Sequence, residues 1–252
     1  MKLTGNTIFI TGGGSGIGRG LAESFHKLGN KVIIAGRRQA NLNEVTSANP
    51  GMSSYELDIA DPESIKSVAS KLVKEFPDLN VLINNAGIMP FDDPSAPIED
   101  ALMERIVTTN FYGPIRMTSA LIEHLKSKKD AVLINNTSVV AYVPLAANAV
   151  YSSTKAALHA YTLSQRFALR NTSVKVQEIA PPWVDTDLIK KSGDPRAMPL
   201  EAFIAETMDK LASDAPEIFV DAIKPLRDNP GSNEHEFFNM LNQSLVDNPI
   251  PH

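Results

Sequence analysis

Tyr151 and Lys155 are the side chains whose types and spacing most directly suggest chemistry. The run after them, AALHAYTLSQRFALRN, carries Ala157, Leu158, Tyr161, Phe167 and Leu169, the recurrence of an amphipathic helix. A helix beginning near Val150 puts Tyr151 and Lys155 at i and i+4, roughly 40° apart on one face. An ammonium then stands beside a phenol. A tyrosine hydroxyl ordinarily titrates near ~10, and an adjacent cation favours the phenolate. A phenol tuned towards neutrality can give or take a proton at a substrate oxygen. Ser138 lies thirteen residues upstream of Tyr151. On its own, Tyr-x-x-x-Lys is as well explained by an exposed helix pair, so the elements that position it must decide.

Residues 7–10 form a short β-branched apolar run, followed at once by TGGGSGIGRG and LAESFHKLG, with Gly29 placed to stop a helix. This reads as strand, glycine-rich turn, helix, and KVIIAG supplies a second buried strand. Gly12, Gly16 and Gly18 are spaced as G-x-x-x-G-x-G. Such glycines let the backbone approach a pyrophosphate while the helix N-terminus points its free N–H groups at it. A tight turn that merely needs positive φ is the alternative; the position between two strands favours the phosphate reading. The second strand ends in Ala35-Gly36-Arg37-Arg38. Where a dinucleotide unit takes NAD(H), an acidic residue is expected here to bond the ribose hydroxyls. Gly36 fills that slot, and the guanidinium groups of Arg37 and Arg38 suit a 2′-phosphate. The cofactor expected is NADP(H), with NAD(H) the runner-up.

A third strand is expected over 52–57, ending in Asp58-Ile59, and Asp61-Pro62-Glu63 starts a helix with a capping Asp and Pro at its first position. A fourth strand over 79–83 runs into Asn84-Asn85-Ala86-Gly87. Residues 98–126 read as one long helix containing Asn110, with Pro114 marking a kink or break. A fifth strand over 131–135 leads to Thr137-Ser138, and a sixth over 174–179 to Ala180-Pro181-Pro182-Trp183-Val184-Asp185-Thr186. A helix over 200–211, a short strand over 218–220 and a last helix over 234–246 follow, with surface connections at 192–199 and 225–233. Strand and helix alternate, which implies an α/β fold with a parallel sheet and right-handed crossovers. The candidate chemistry falls after the strands, where such sheets bind ligands.

At 252 residues the chain fits one large domain. A net charge of −5 argues against a nucleic-acid-binding footprint. Without cysteine, disulfides, thiolate metal ligands and a Cys nucleophile are excluded. No apolar run approaches the ~20 residues needed to cross a bilayer, and the first residues lack a signal-peptide pattern, so cytoplasmic is the expectation, with no membrane insertion. The five histidines show no H-E-x-x-H or close pairing, so no metal is expected, and His159 reads as structural.

Taken together these residues resemble the short-chain dehydrogenase/reductase family, through TGGGSGIG at 11–18, Asp58, NNAG at 84–87, Asn110, Ser138, and Tyr151 with Lys155. The run APPWVDTDL and the C-terminal region are similar to the DltE-like subgroup. The resemblance implies a Rossmann-type doubly wound sheet of seven parallel strands, order 3-2-1-4-5-6-7, with helices on both faces. One domain would span 1–252, about 190–252 forming the substrate side and a subunit contact, in a homotetramer or homodimer. Tyr151 would be the proton donor to a ketone and the base in reverse. Lys155 would lower its pKa and bond the nicotinamide ribose. Ser138 would orient the substrate oxygen, and Asn110 would hold a relay water. Gly12, Gly14, Ser15, Gly16, Ile17 and Gly18 would carry the cofactor's phosphates, and Asp58 with the backbone of Ile59 its adenine. Asn85, Ala86 and Gly87 would line the cleft, and Pro181, Val184 and Thr186 would hold the nicotinamide end. Pro182 stands where the family commonly has Gly, which should stiffen that loop.

The residues expected around the substrate are largely apolar: Met89, Pro90, Val139, Val140, Tyr142, Val143, Trp183 and Leu188. Such a pocket favours a hydrophobic or aryl ketone, or the matching alcohol, over charged substrates. The expected activity is that of a carbonyl reductase or secondary alcohol dehydrogenase. The competing expectations are a dinucleotide-binding sensor without turnover and a cell-envelope-associated partner protein.

Overall fold

The computed structural model describes residues 1–189, 193–213, 215–228 and 233–248. Its sheet is built from β1 (Thr7–Thr11), β2 (Lys31–Gly36), β3 (Ser53–Glu56), β4 (Val81–Asn84), β5 (Ala131–Asn136), β6 (Val174–Ile179) and β7 (Glu217–Ile218). All pairings are parallel, in the order β3-β2-β1-β4-β5-β6-β7. The helices are α1 (Gly16–Lys27), α2 (Gln39–Ala48), α3 (Pro62–Glu75), α4 (Asp100–Val107), α5 (Gly113–Lys126), α6 (Ala149–Leu169), α7 (Leu200–Leu211), α8 (Lys224–Asp228) and α9 (Glu234–Asp247). Doubly wound α/β architecture and strand order are those the sequence resemblance implied.

The central strands are buried on both faces, which is why they read as continuous apolar runs. Alternate residues of β1 enter opposite cores: Ile8 and Ile10 pack with Leu21 and Phe25 of α1 and Phe203 of α7, while Phe9 packs with Leu72 of α3 and Leu121 of α5. Local signals set the helix ends. Gly29, at φ +80°, follows α1 and donates its N–H to His26 O at 2.9 Å. The carboxylate of Asp61 accepts from Glu63 N at 2.9 Å, with Pro62 opening α3.

Residues 100–126 form one continuous helical run, as expected, with its irregularity at a π turn. Thr108–Tyr112 form a π-helical segment between α4 and α5, and Pro114 follows it directly at the second residue of α5. The wide turn carries Asn110, and such bulges recur at functional sites. The expected surface connections are also more ordered: Val184 bridges to Met198, and α8 occupies part of 225–233. Residues 192 and 229–232 lie outside the described residues. Among the described residues no helix is long and apolar enough to cross a membrane.

Candidate active site

A cavity of about 890 Å³ runs along the C-terminal ends of the strands. One end is the turn between β1 and α1. Gly12 and Gly16 hold φ of +69° and +52°, and a Cβ on Gly12 would lie 2.9 Å from Ala86 Cα. Ser15 precedes α1 in extended conformation, and the first turn of α1 has no acidic residue, so its free N–H groups face the cavity uncompensated. Gly14 and Ile17 line the same end, as do Arg37 and Arg38, and Arg38 Nη2 donates to Ser15 Oγ at 3.1 Å. Bare backbone, a helix N-terminus and two guanidinium groups fit an anionic dinucleotide.

The middle of the cavity is lined by Ile59, Asn85, Ala86 and Gly87, and the far end by Ser138, Tyr151, Lys155, Pro181 and Val184, whereas Thr186 lines it beside the turn, 3.3 Å from where a Cβ on Gly16 would stand. Met89, Val140, Trp183 and Leu188 of the expected substrate wall are there too. Helix α6 delivers Tyr151 and Lys155 on one face. Its N-terminus is capped from outside: the Asp92 carboxylate accepts from Ala149 N at 2.9 Å and Val150 N at 3.0 Å. That joins the loop after β4 to the helix holding the phenol. The Ser138 hydroxyl, two residues past β5, donates to Pro181 O at 3.4 Å and accepts from Val140 N at 3.3 Å, and it lies near enough to Tyr151 to act on its phenol.

Burial governs both ionisable groups. It pushes the Tyr151 phenol up to about 12, and the nearby Ser138 hydroxyl opposes this only in part. It draws the Lys155 ammonium down to about 8, against the charge of Glu178. Lys155 Nζ donates to Asn136 O at 2.8 Å and lies 5.7 Å from the centroid of the Tyr151 ring. The ammonium faces the Asn136 carbonyl, and loss of water around the phenol sets the direction of its shift.

Several selected residues act from behind the wall. Gly18 packs α1 onto the turn: a Cβ there would lie 2.3 Å from Gly12 O. The Asp58 carboxylate folds onto its own turn, accepting from Ala60 N at 2.9 Å. Asn110 accepts from Ile88 N at 2.9 Å and donates to Ile88 O at 2.8 Å, bracing the strand end beside Gly87. A Cβ on Gly87 would lie 3.2 Å from Asn110 Oδ1 and 3.8 Å from Lys155 Nζ, so the three converge. Pro90 does not line the cavity, and its carbonyl accepts from Asn148 Nδ2 at 2.9 Å. Tyr142 is a correction. It does not line the cavity; its hydroxyl turns to Glu178 Oε1 at 3.4 Å, with His159 against its ring and the Arg227 guanidinium 4.6 Å from the centroid.

Sequence reasoning passed over other residues. The Thr11 hydroxyl accepts from Asn85 N at 3.0 Å and Ala86 N at 3.1 Å. Asn85 Nδ2 donates to Thr11 O at 3.0 Å, and its Oδ1 accepts from Asn136 Nδ2 at 2.7 Å. Leu241, Ser244 and Leu245 of α9 line the substrate end. Asn242 pins that helix, accepting from Ala146 N at 2.6 Å and donating to Pro144 O at 3.1 Å. Helix α9 carries both Asn239 and Asn242, so its sequence alone does not single out the one that pins it.

Comparisons with known proteins agree with this geometry. Residues 6–197 match the family described as short chain dehydrogenase. The chain is 38% identical to an uncharacterized oxidoreductase, DltE, of Bacillus subtilis (strain 168), over 96% of this chain and 98% of that one. It is 35% identical to an NADP-dependent 3-hydroxy acid dehydrogenase of Schizosaccharomyces pombe, over 77% of this chain and 78% of that one. A short chain dehydrogenase from Burkholderia cenocepacia J2315, solved in complex with NADP, superposes with a TM-score of 0.78 at 25% identity, covering 98% of this chain and 95% of that one. The chain belongs to the short-chain dehydrogenase/reductase family, in its DltE-like subgroup, and is an oxidoreductase built around a nicotinamide dinucleotide.

Proposed function

We propose that this protein is an NADP(H)-dependent carbonyl reductase or secondary alcohol dehydrogenase acting on mainly apolar ketones or alcohols. The observation that carries the reading is the meeting of Ser138, Tyr151 and Lys155 in the cavity whose other end is the glycine turn with Arg37 and Arg38. Reduced nicotinamide supplies the hydride when bound. The chain's own groups handle the oxygen. Tyr151, protonated at neutral pH, donates to the oxygen as it gains alkoxide character. Ser138 orients that oxygen, and Lys155 with Asn110 leads the returning proton towards Tyr151.

The substrate class follows from the wall. Met89, Val140, Trp183 and Leu188 offer apolar surface. Arg196 on the same side is paired with Asp194 at 2.7 Å and lies over the Trp183 ring, so its charge is already engaged. We also read the protein as a cytoplasmic homodimer or homotetramer; the exposed Tyr112, Leu163 and Phe167 favour self-association.

A spectrophotometric panel of ketones and alcohols, run with NADPH and NADH, tests the reading. Acetophenone-like ketones with NADPH are expected to lead, and a preference for charged substrates or for NADH would overturn the corresponding half. Tyr151→Phe is expected to lower kcat by roughly 100-fold or more while NADPH binding persists. Tight NADPH binding with no turnover across the panel would favour a sensor instead.

A further inference from the structure

Glu178 is a fully buried carboxylate that the reaction above leaves unused. It lies on β6, in register with Asn135 of β5 on one side and Glu217 of β7 on the other. Burying one carboxylate beside another is costly unless donors and cations meet both. Here they do. Thr137 Oγ1 donates to Glu178 Oε1 at 2.6 Å, and His159 Nδ1 lies 2.9 Å from each carboxylate oxygen. The Tyr142 hydroxyl reaches it at 3.4 Å. Arg227 forks onto Glu217, with Nε at 2.7 Å and Nη2 at 3.1 Å.

His159, Glu178 and Glu217 place potential ligand atoms within 4.8 Å of one another, a spacing that could hold a cation. Arg227 already supplies positive charge there, and Thr137 and Tyr142 occupy Glu178. The cluster's consequences run towards the candidate active site instead. Thr137 precedes Ser138 in the chain, and Asn136 accepts from Lys155. His159 is one turn beyond Lys155 on α6, and the charge of Glu178 acts on Lys155 against its burial.

We propose that Glu178 is a positioning residue for Ser138, Tyr151 and Lys155, fixing the Thr137–Ser138 turn through Thr137 and balancing the buried ammonium. The inference rests on the catalytic reading of those three residues. The charged and titratable groups facing Glu178 are Lys155 and His159 from α6, Glu217 from β7, Arg227 from α8, and Tyr142 after β5. Arg166 of α6 acts one step away, through Glu217.

Glu178→Gln tests it, because the amide keeps an acceptor for Thr137 and removes the charge. With NADPH and the best ketone of the panel, kcat should fall on the order of tenfold at nearly unchanged NADPH affinity. The alkaline limb of the kcat profile should move down by about half a pH unit or more, because Lys155 loses its supporting carboxylate. Thr137→Val should lower kcat without moving that limb, and Thr137→Ser should restore it. Wild-type kcat and a wild-type limb in Glu178→Gln would overturn the proposal. If that variant does not fold, Glu178→Asp carries the test: reduced kcat with the limb in place supports positioning, and unchanged kcat overturns it. Tyr151→Phe in the wild-type background separates the two readings. Its full activity would sink the catalytic reading itself, whereas its collapse beside a wild-type Glu178→Gln would sink only this one.

Discussion

Raising the pH from about 8 is expected to stabilise the folded protein through Lys155. This ammonium is 5% exposed, and burial takes its pKa from 10.5 to about 8. The folded protein therefore releases the proton near pH 8, and the unfolded chain keeps it until near 10.5. Between those values the unfolded state binds more protons, so stability rises with pH. At about 1.4 kcal/mol per pH unit, the window amounts to roughly 3 kcal/mol. Tyr151 works in the opposite sense. Its proton is held to about 12 in the folded state and lost near 10.0 when unfolded, so stability falls above pH 10 and the gain crests there. The assay is urea unfolding at a series of pH values from 7 to 10.5, comparing wild type with Lys155→Met. The stability of wild type relative to the variant should climb by roughly 3 kcal/mol across the window. A difference that stays flat with pH would refute the reasoning, since Lys155 would then titrate alike in both states. The absence of cysteine keeps thiol oxidation out of the alkaline range.

Gly18→Ala would force a methyl to within 2.3 Å of the Gly12 carbonyl, a backbone atom that cannot swing aside. A cost of about 1–3 kcal/mol and at least a several-fold weaker NADPH affinity are expected, read by thermal melting and titration. Wild-type values for both would count against the close packing of α1 on the turn. Asp92→Ala removes the carboxylate from two N–H groups at the start of α6 and should cost about 1–2 kcal/mol. Its kcat should fall more than its NADPH affinity, because the cap lies beside Tyr151; equal losses would point to general destabilisation. Phe167→Glu, on a side chain 67% exposed, should reduce the mass found by light scattering towards the 27.3 kDa of one chain. A wild-type mass would place the subunit contact elsewhere.

The elements most legible in the sequence are those whose signals are local. β6 and α7 have the expected bounds, because apolar spacing and flanking proline or glycine define them. The π-helical segment was not legible. Pro114 was the visible irregularity, whereas the wide turn is stabilised by Asn110 bonding the backbone of Ile88, twenty-two residues away. Tyr142 was misjudged for a similar reason. Its ring suits an apolar wall, but its hydroxyl finds Glu178, and only the pairing of β5 with β6 brings that carboxylate within reach. Glu178 itself sits in VKVQEI, where an acidic residue suggests an exposed position; its burial is decided by Thr137 and His159. The pKa order of Tyr151 and Lys155 was hidden too, because helix spacing gives proximity but not desolvation.

Asn85 has a consequence for binding. Both ends of its amide are engaged, with Thr11 and Gly12 on one side and Asn136 on the other. The ends of β1, β4 and β5 are thus cross-braced beneath the cleft. Because the bracing uses only protein groups, the floor keeps its shape whether or not the cleft is filled. The entropy of ordering then falls on the rim, on the long side chains of Arg37 and Arg38 and on the helix held over the far end by Asn242. Ligands that differ only at the rim should differ in how long they stay far more than in how fast they arrive.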